Sequence, residues 1–164
     1  MIEMKVAGIA LDAVSRSPII LLKDAADRRA LPIYISQEQA KAIVNALEKQ
    51  TPPRPFTHDL LVNIFDSCDI KVDRITINSL QDNTFYASIV INNNGALKEI
   101  DARPSDAIAI AIRTKAPIWV IEEVIADASI PVDRDADEQE RQAFRSFVSN
   151  LRPDDLIRNG GYAS

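Results

Sequence analysis

The most constraining stretch of the sequence is a polar turn followed by an unbroken apolar run, DARPSDAIAIAIR, from Asp101 to Arg113. Pro104 suits the first position of a helix, because it donates no backbone hydrogen bond and its φ is already near the helical value. Alternating alanines and isoleucines follow, from Ala107 to Ile112, and leave no polar face. A helix that is apolar on every side is a buried helix. The alternation would also suit a strand, but the Pro-Ser-Asp start and the alanines favour a helix.

The composition limits the classes of protein. A chain of 164 residues fits one domain with or without an appendage, and 46% hydrophobic and 26% charged residues are typical of a globular protein. The formal net charge of -5 gives no overall attraction to phosphates, so a nucleic-acid role needs a local basic patch or a bound metal. The N-terminal residues do not look like a secretory signal, and no apolar run reaches the length of a membrane span. We therefore expect a cytoplasmic protein without a membrane partner.

The chain has one cysteine, Cys68, and one histidine, His58. A single cysteine excludes an intramolecular disulfide and a cysteine-cluster zinc site, and a single histidine excludes any site that needs two. Cys68 lies in an apolar-periodic run, which favours a small core residue over a reactive thiol.

Alternating or continuous apolar runs predict strands at residues 4–11, 19–22, 31–35, 72–77, 85–91, 97–102 and 118–121. Helices are expected after the third and sixth of these strands, and Ser36 with Gln39 makes a capping box at the first helix. Another helix is expected at 58–67, after the break at 51–55, with Thr57 as its cap and with one apolar stripe formed by Leu60, Leu61, Ile64 and Phe65. The sequence thus predicts an α+β fold with a largely antiparallel or mixed sheet, built from two β-β-β-α units packed with helices.

The composition becomes more polar towards the C-terminus. Residues 129–135 have the composition of a linker. From Ala136 a polar helix is expected, with one apolar side formed by Phe144, Phe147, Val148 and Leu151. We therefore expect a domain at 1–128, followed by a linker and a C-terminal helical appendage at 129–164. Exposed apolar area on that helix predicts a homo-oligomer, such as a dimer.

Three stretches resemble the bifunctional nuclease domain family of bacteria and plants. They are LPIYISQEQAKAI at 31–43, RPFTHDLL at 54–61, and EIDARPSDAIAIAIR at 99–113 followed by APIWV at 116–120, of which the third is the most specific. The resemblance covers roughly the first 128 residues. It implies a mixed α/β domain that degrades both RNA and DNA. It transfers no catalytic mechanism, so the candidate site residues rest on their own chemistry.

The turn before the buried helix is the first candidate site. Asp101 at the end of a strand and Asp106 in the first helical turn could hold Mg²⁺ or Mn²⁺, which would activate water and compensate charge during phosphodiester hydrolysis. Arg103 could contact a phosphate, and the free N–H groups of the helix start, with Ser105, favour an anion there. In the alternative interpretation, Asp106 only stabilises the helix start and Arg103 pairs with a neighbouring carboxylate.

The stretch RPFTHDLL is the second candidate site. His58 could act as a general acid or base, and Arg54 could bind phosphate. Alternatively, His58 and Asp59 only stabilise the first turn of their helix. Stacking on nucleobases would need exposed aromatic residues, whereas aromatics in strands are more often core residues. The core is therefore the expected location of Tyr34, Phe85, Tyr86 and Trp119.

These residues lead to one principal hypothesis and two alternatives. The principal hypothesis is a nuclease that acts on RNA and DNA with a divalent metal. A non-catalytic regulatory or protein-interaction module is the alternative, favoured by the acidic charge, the single histidine and the lack of a basic stripe. A weaker third possibility is a small anionic ligand bound beside Asp101 to Asp106.

Overall fold

The computed structural model describes residues 1–132 and, beyond them, residues 139, 142, 143, 145 and 146. Its strands are β1 (Ile2–Leu11), β2 (Pro18–Asp24), β3 (Arg29–Tyr34), β4 (Ile70–Gln81), β5 (Thr84–Asn93), β6 (Ala96–Ala102), β7 (Ile118–Val120) and β8 (Ile130–Pro131). Its helices are α1 (Gln37–Leu47), α2 (Thr57–Ser67), α3 (Pro104–Thr114) and α4 (Glu122–Ala128). The strands form one mixed sheet packed with helices, so the predicted α+β class is confirmed.

The sheet has the strand order β6-β5-β4-β7-β1-β2-β3-β8. Each of the two predicted three-strand groups is an antiparallel meander, β1-β2-β3 and β4-β5-β6. The short strand β7 joins the two meanders, because it pairs antiparallel with β1 and parallel with β4. Helix α3 follows β6, which lies at one edge of the sheet. It precedes β7, which lies in the middle of the sheet.

Helix α3 is the buried helix that the sequence predicted. Seven of its residues are buried: Pro104, Ser105, Ala107, Ile108, Ala109, Ile110 and Ala111. It packs against α1, α2, β4 and β5, and its apolar side chains belong to the main core cluster. The helix ends where Lys115 adopts a left-handed conformation with φ of 60°, two residues before Pro117. Since a buried Ile contributes about 1.5 to 3 kcal/mol, α3 is a principal source of the stability of the fold.

The starts of α1 and α2 differ in how they are capped. The capping box of α1 is confirmed, because the Gln39 N–H donates to Ser36 Oγ and the Ser36 N–H donates to Gln39 Oε1. Thr57 does not cap α2, so that prediction was wrong: Thr57 is the first helical residue. The Asp59 carboxylate, one turn into α2, instead accepts a hydrogen bond from the Phe56 N–H at 3.0 Å.

Helix α2 has no buried residue, in contrast to α3. Most of its predicted apolar stripe is exposed, namely Leu60, Leu61 and Ile64. Cys68 at its C-terminal end is also exposed, so the prediction of a core cysteine was wrong. The physical reason is that α2 contacts α3 and β4 with one side, so the apolar residues on its other side face solvent. Cys68 lies at the surface turn that leads from α2 into β4.

Two tyrosines expected in the core lie at the surface, Tyr34 with 61% exposure and Tyr86 with 43%. Their chain neighbours Ile33 and Ala87 are core residues, and successive side chains of a strand point to opposite faces. Phe85 and Trp119 are partly buried.

The strand β8 lies inside the stretch expected to be a linker and pairs with β3. The helix predicted from residue 136 lies almost entirely outside the described residues, as does its apolar side. Among the residues that are described, no helix is both long and apolar enough to cross a membrane.

Candidate functional site

The first turns of α2 and α3 meet at a cluster of charged side chains. His58 Nε2 lies 2.9 Å from Asp106 Oδ1, which joins residues 48 positions apart in the sequence. The second oxygen of this carboxylate, Oδ2, accepts a hydrogen bond from Arg103 Nε at 2.8 Å. The structure therefore brings together His58, Arg103 and Asp106, which the sequence had assigned to two separate candidate sites.

Local chemistry explains why these side chains converge. Arg103 is the N-cap of α3 in an extended conformation, and Pro104 begins the helix, so Asp106 occupies the third helical position. A carboxylate there is stabilised by the positive end of the helix dipole. His58 is the second helical residue of α2, so its imidazole lies at the start of a helix as well.

The electrostatics of the cluster keep Asp106 ionised. Burial raises the pKa of Asp106, but the hydrogen bonds from Arg103 and His58 outweigh burial, so the pKa lies below its ordinary value. The same Asp106 hydrogen bond raises the pKa of Arg103. Because an ionised carboxylate can only accept, the Nε2 of His58 carries a proton in this contact. The His58 side chain is 15% exposed and that of Arg103 is 67% exposed, so solvent reaches the cluster from the Arg103 side.

A second ion pair fixes α2 against α3. Arg113 Nε donates to Asp59 Oδ1 at 2.8 Å. The Nη1 atom of Arg113 donates to the carbonyl oxygens of Ala42 and Ala109. The Arg113 side chain is only 9% exposed and thus connects α1, α2 and α3 from within. Burial raises the pKa of Asp59, but the Arg113 and Phe56 hydrogen bonds outweigh it and lower the pKa.

Arg113 and its partner Asp59 were missed as a structural pair by the sequence reasoning. Asp106 and Arg113 are seven residues apart, which places both on one side of α3. This spacing was the available signal for a polar stripe on a helix that otherwise looks apolar all round. The partner of the stripe, α2, could not be found from the same spacing.

The start of α3 also offers hydrogen-bond donors to an anion. Ser105 is 5% exposed, and α3 has no side-chain cap. Within the described part of the chain, the backbone N–H groups of Ser105 and Asp106 have no acceptor. Arg54 is exposed in the loop that leads into α2, four residues before His58.

Asp101 does not join this cluster. In β6 it lies opposite Ser88 of β5, and the Ser88 hydroxyl donates to Glu99 Oε1 at 2.6 Å. Asp101 therefore shares one sheet face with Ser88 and Glu99. The next residue, Ala102, packs on the other face, against the core beneath α3. Asp101 thus lies on the face of β6 opposite to Ala102.

The residues at the start of α3 do not fit a Mg²⁺ or Mn²⁺ site. Both oxygens of Asp106 accept hydrogen bonds from cationic or donor side chains, and Asp101 faces away. A search of the described residues finds no group of three or more His, Cys, Asp or Glu side chains that could hold a metal ion. Carboxylate oxygens are the principal protein ligands of these ions, so a metal site here would need the cluster to rearrange.

Comparison with known proteins adds independent information. Residues 20–133 match the family model of the bifunctional nuclease domain. An uncharacterized protein of Mycobacterium tuberculosis is 38% identical over an alignment of 164 positions, which covers 94% of this chain and 97% of that protein. Bifunctional nuclease 1 of Oryza sativa subsp. indica is 26% identical over 66% of this chain and 34% of its own length. Bifunctional nuclease 2 of Arabidopsis thaliana is 25% identical over 63% of this chain and 32% of its own length. The match to the family model covers well over half of the sequence and includes the whole charged cluster of α2 and α3. The chain belongs to the bifunctional nuclease domain family.

Proposed function

We propose that the chain is a nuclease that hydrolyses phosphodiester bonds of RNA and DNA where α2 and α3 meet. Its family, and the names of its plant relatives, support a nuclease. The observation that carries the location is the 2.9 Å contact between His58 Nε2 and Asp106 Oδ1. An ionised carboxylate that orients a histidine is the arrangement that general acid-base catalysis uses.

The proposed reaction uses water as the nucleophile, because DNA has no 2′-hydroxyl group that could attack. Asp106 holds the Nε2–H of His58, so Nδ1 is free to take a proton from water as the water oxygen bonds to phosphorus. The bond from phosphorus to the leaving oxygen breaks, and the imidazolium returns its proton to that oxygen. Asp106 stabilises the imidazolium between the two transfers.

In this proposal, three groups of hydrogen-bond donors bind the negatively charged phosphates. Arg103 uses its Nε for Asp106, and its exposed terminal nitrogens are directed to solvent, where a phosphate can bind bidentately. The Ser105 and Asp106 N–H groups at the start of α3 contribute neutral donors, and the Ser105 hydroxyl is next to them. Arg54 contacts a neighbouring phosphate from its exposed loop.

Dependence on Mg²⁺ or Mn²⁺ stays a prediction, as do self-association and a cytoplasmic location. No step of the reaction above passes through a metal, because both oxygens of Asp106 already accept hydrogen bonds and Asp101 points to the face of β6 opposite to Ala102. Cleavage in EDTA and in added Mg²⁺ or Mn²⁺ measures metal dependence. Light scattering of the purified chain measures self-association.

The competing candidate is a non-catalytic module for regulation or protein interaction. It is favoured by the complete internal pairing of Asp106 and by the exposed apolar stripe of α2. On this alternative, the His58 and Asp59 pairs serve only to hold α2 on α3. It predicts that the chain neither cleaves RNA or DNA nor binds them tightly at physiological salt.

The test is cleavage of labelled single-stranded RNA and DNA by the native chain and by His58→Gln, Asp106→Asn and Asp66→Asn. The glutamine amide can still donate to Asp106 but takes no proton, so His58→Gln should slow cleavage by about 10²- to 10⁴-fold while folding stability changes little. Asp106→Asn should slow cleavage at least tenfold, since the imidazole loses its anionic partner.

Asp66 is the matched control, because it is an exposed aspartate of the same helix α2 and lies far from the first turn. Asp66→Asn should cleave like the native chain. Equal cleavage by all four proteins would locate the activity elsewhere or in a contaminant. A native chain that cleaves neither substrate, with or without metal, would favour the non-catalytic module.

A further inference from the structure

We infer that Phe56 is a base-stacking residue and that the site therefore takes single-stranded nucleic acid. This inference rests on the proposed nuclease function and names its substrate class. Phe56 lies two residues before His58 in the segment Arg54-Pro55-Phe56-Thr57-His58.

The position of Phe56 does not call for an aromatic side chain. It is the N-cap of α2, a position where Ser, Thr, Asp and Asn are preferred because their oxygens accept a hydrogen bond from the helix. Its side chain is 46% exposed and is not part of the core cluster. An exposed phenyl ring at a cap costs solvation and gains no hydrogen bond, which points to an intermolecular role.

The backbone at Phe56 is nevertheless held in place. The Phe56 N–H donates to Asp59 Oδ2 at 3.0 Å, and Asp59 Oδ1 is held by the buried Arg113. Pro55 precedes Phe56, and its ring restricts the chain there. A ring on a fixed backbone loses little conformational entropy when a ligand packs against it.

The surroundings of the ring match a nucleotide chain. Phe56 is two residues from His58 and two from the exposed Arg54, so its Cα lies at most about 7 Å from each of theirs. A base stacked on Phe56 would then belong to a nucleotide next to the phosphate at His58, with Arg54 on the following phosphate. Aromatic stacking accepts any base, which suits an enzyme that acts on both RNA and DNA.

Stacking on Phe56 requires a base that is free of its neighbours. In a duplex the faces of the bases are already stacked and a side chain cannot reach them without unpairing. The binding site therefore prefers single strands over duplexes. The formal net charge of -5 makes this preference stronger, because the chain has little general attraction to phosphate that would hold a duplex.

The test measures binding rather than cleavage, so that it does not depend on catalysis. Fluorescence anisotropy of a labelled DNA oligonucleotide, single-stranded or annealed to its complement, is recorded in EDTA and low salt on the His58→Gln background. Phe56→Ala should weaken single-strand binding roughly ten- to a hundredfold, Phe56→Trp should preserve it, and the duplex should bind more weakly than the single strand throughout.

Leu60 supplies the matched control, because it is apolar, lies one turn further along α2 and is 52% exposed. Leu60→Ala should bind single strands like its parent. Equal binding of single strand and duplex, or unchanged binding in Phe56→Ala, would overturn the inference. Loss in Leu60→Ala equal to that in Phe56→Ala, together with a change of molecular mass, would identify the surface as a protein contact and overturn it too. If the variants behave as expected while the native chain cleaves nothing, the stacking role stands and the nuclease proposal fails.

Discussion

Helices α2 and α3 have the same length, 11 residues, and are held in the molecule in opposite ways. Seven residues of α3 are buried, whereas α2 buries none. The two helices are joined by the hydrogen bond between His58 and Asp106 and by the ion pair between Asp59 and Arg113. Helix α3 is thus positioned by apolar packing, whereas α2 combines the partly buried Val62 and Phe65 with a few directional contacts. His58 on α2 is thus oriented by the ionised Asp106 carboxylate rather than by burial of its own.

The largest effect on stability is expected from a truncation in α3. Ile108 is fully buried, so Ile108→Ala should lower the free energy of unfolding by about 2 to 5 kcal/mol, because it leaves a cavity in a packed core. Urea denaturation measures the change. A loss below about 1 kcal/mol would show that the helix is less tightly packed than its burial indicates.

A smaller loss is expected when the buried arginine is removed. Arg113→Met should cost about 2 to 4 kcal/mol, since Asp59 loses its cationic partner and the carbonyls of Ala42 and Ala109 lose a donor. Arg16→Met, at an exposed position, is the control and should stay within about 0.5 kcal/mol. An unchanged free energy of unfolding in Arg113→Met would contradict the conclusion that the contacts of Arg113 hold α2 on α3.

The pH dependence of stability should report the same contacts. The pKa values of Asp59 and Asp106 lie below the ordinary 3.8 in the folded chain, so folding favours their ionised forms. The stabilisation is fully present above pH 3.8 and is lost as the pH falls through the lowered values. Thermal unfolding followed from pH 6 to pH 2 should show this loss. Asp106→Asn should flatten the profile, and Asp66→Asn should leave it unchanged.

The smallest effect is expected on the exposed stripe of α2. Leu60→Ser should change the free energy of unfolding by less than about 0.5 kcal/mol, because its side chain is 52% exposed and leaves no cavity. Urea denaturation beside Ile108→Ala gives the direct contrast between the two helices. A loss above about 1 kcal/mol would mean that this face is covered in solution.

The elements of the fold were largely predictable from local patterns. Alternating apolar residues located the strands of both meanders, and Pro104 with the apolar run after it located α3, because these signals lie within one turn or one strand. The errors at Thr57 and Cys68 have different causes. Helix α2 begins one residue earlier than predicted, so Thr57 lies inside it, whereas Cys68 was assigned to the core because its run is apolar-periodic. Whether an apolar-periodic helix such as α2 is covered depends on what else competes for the core, and the sequence of α2 does not contain that information.

The candidate site was predictable in its residues but not in its arrangement. Asp106, Arg103 and His58 were singled out from their types and their places at helix starts, yet Asp106 was paired with Asp101. Alternation along β6 directs Asp101 to the face opposite Ala102, and only the register with β5 shows which face that is.

The sequence by itself determined which segments are helices and strands, that α3 is buried, and which side chains can carry acid-base and phosphate chemistry. These properties follow from local propensity and hydrophobic period. The tertiary structure decided that α2 lies across α3, so that His58 meets Asp106 and Arg113 meets Asp59. Those contacts join residues about fifty positions apart, and no local pattern specifies a pairing that arises only when two helices pack on the same sheet.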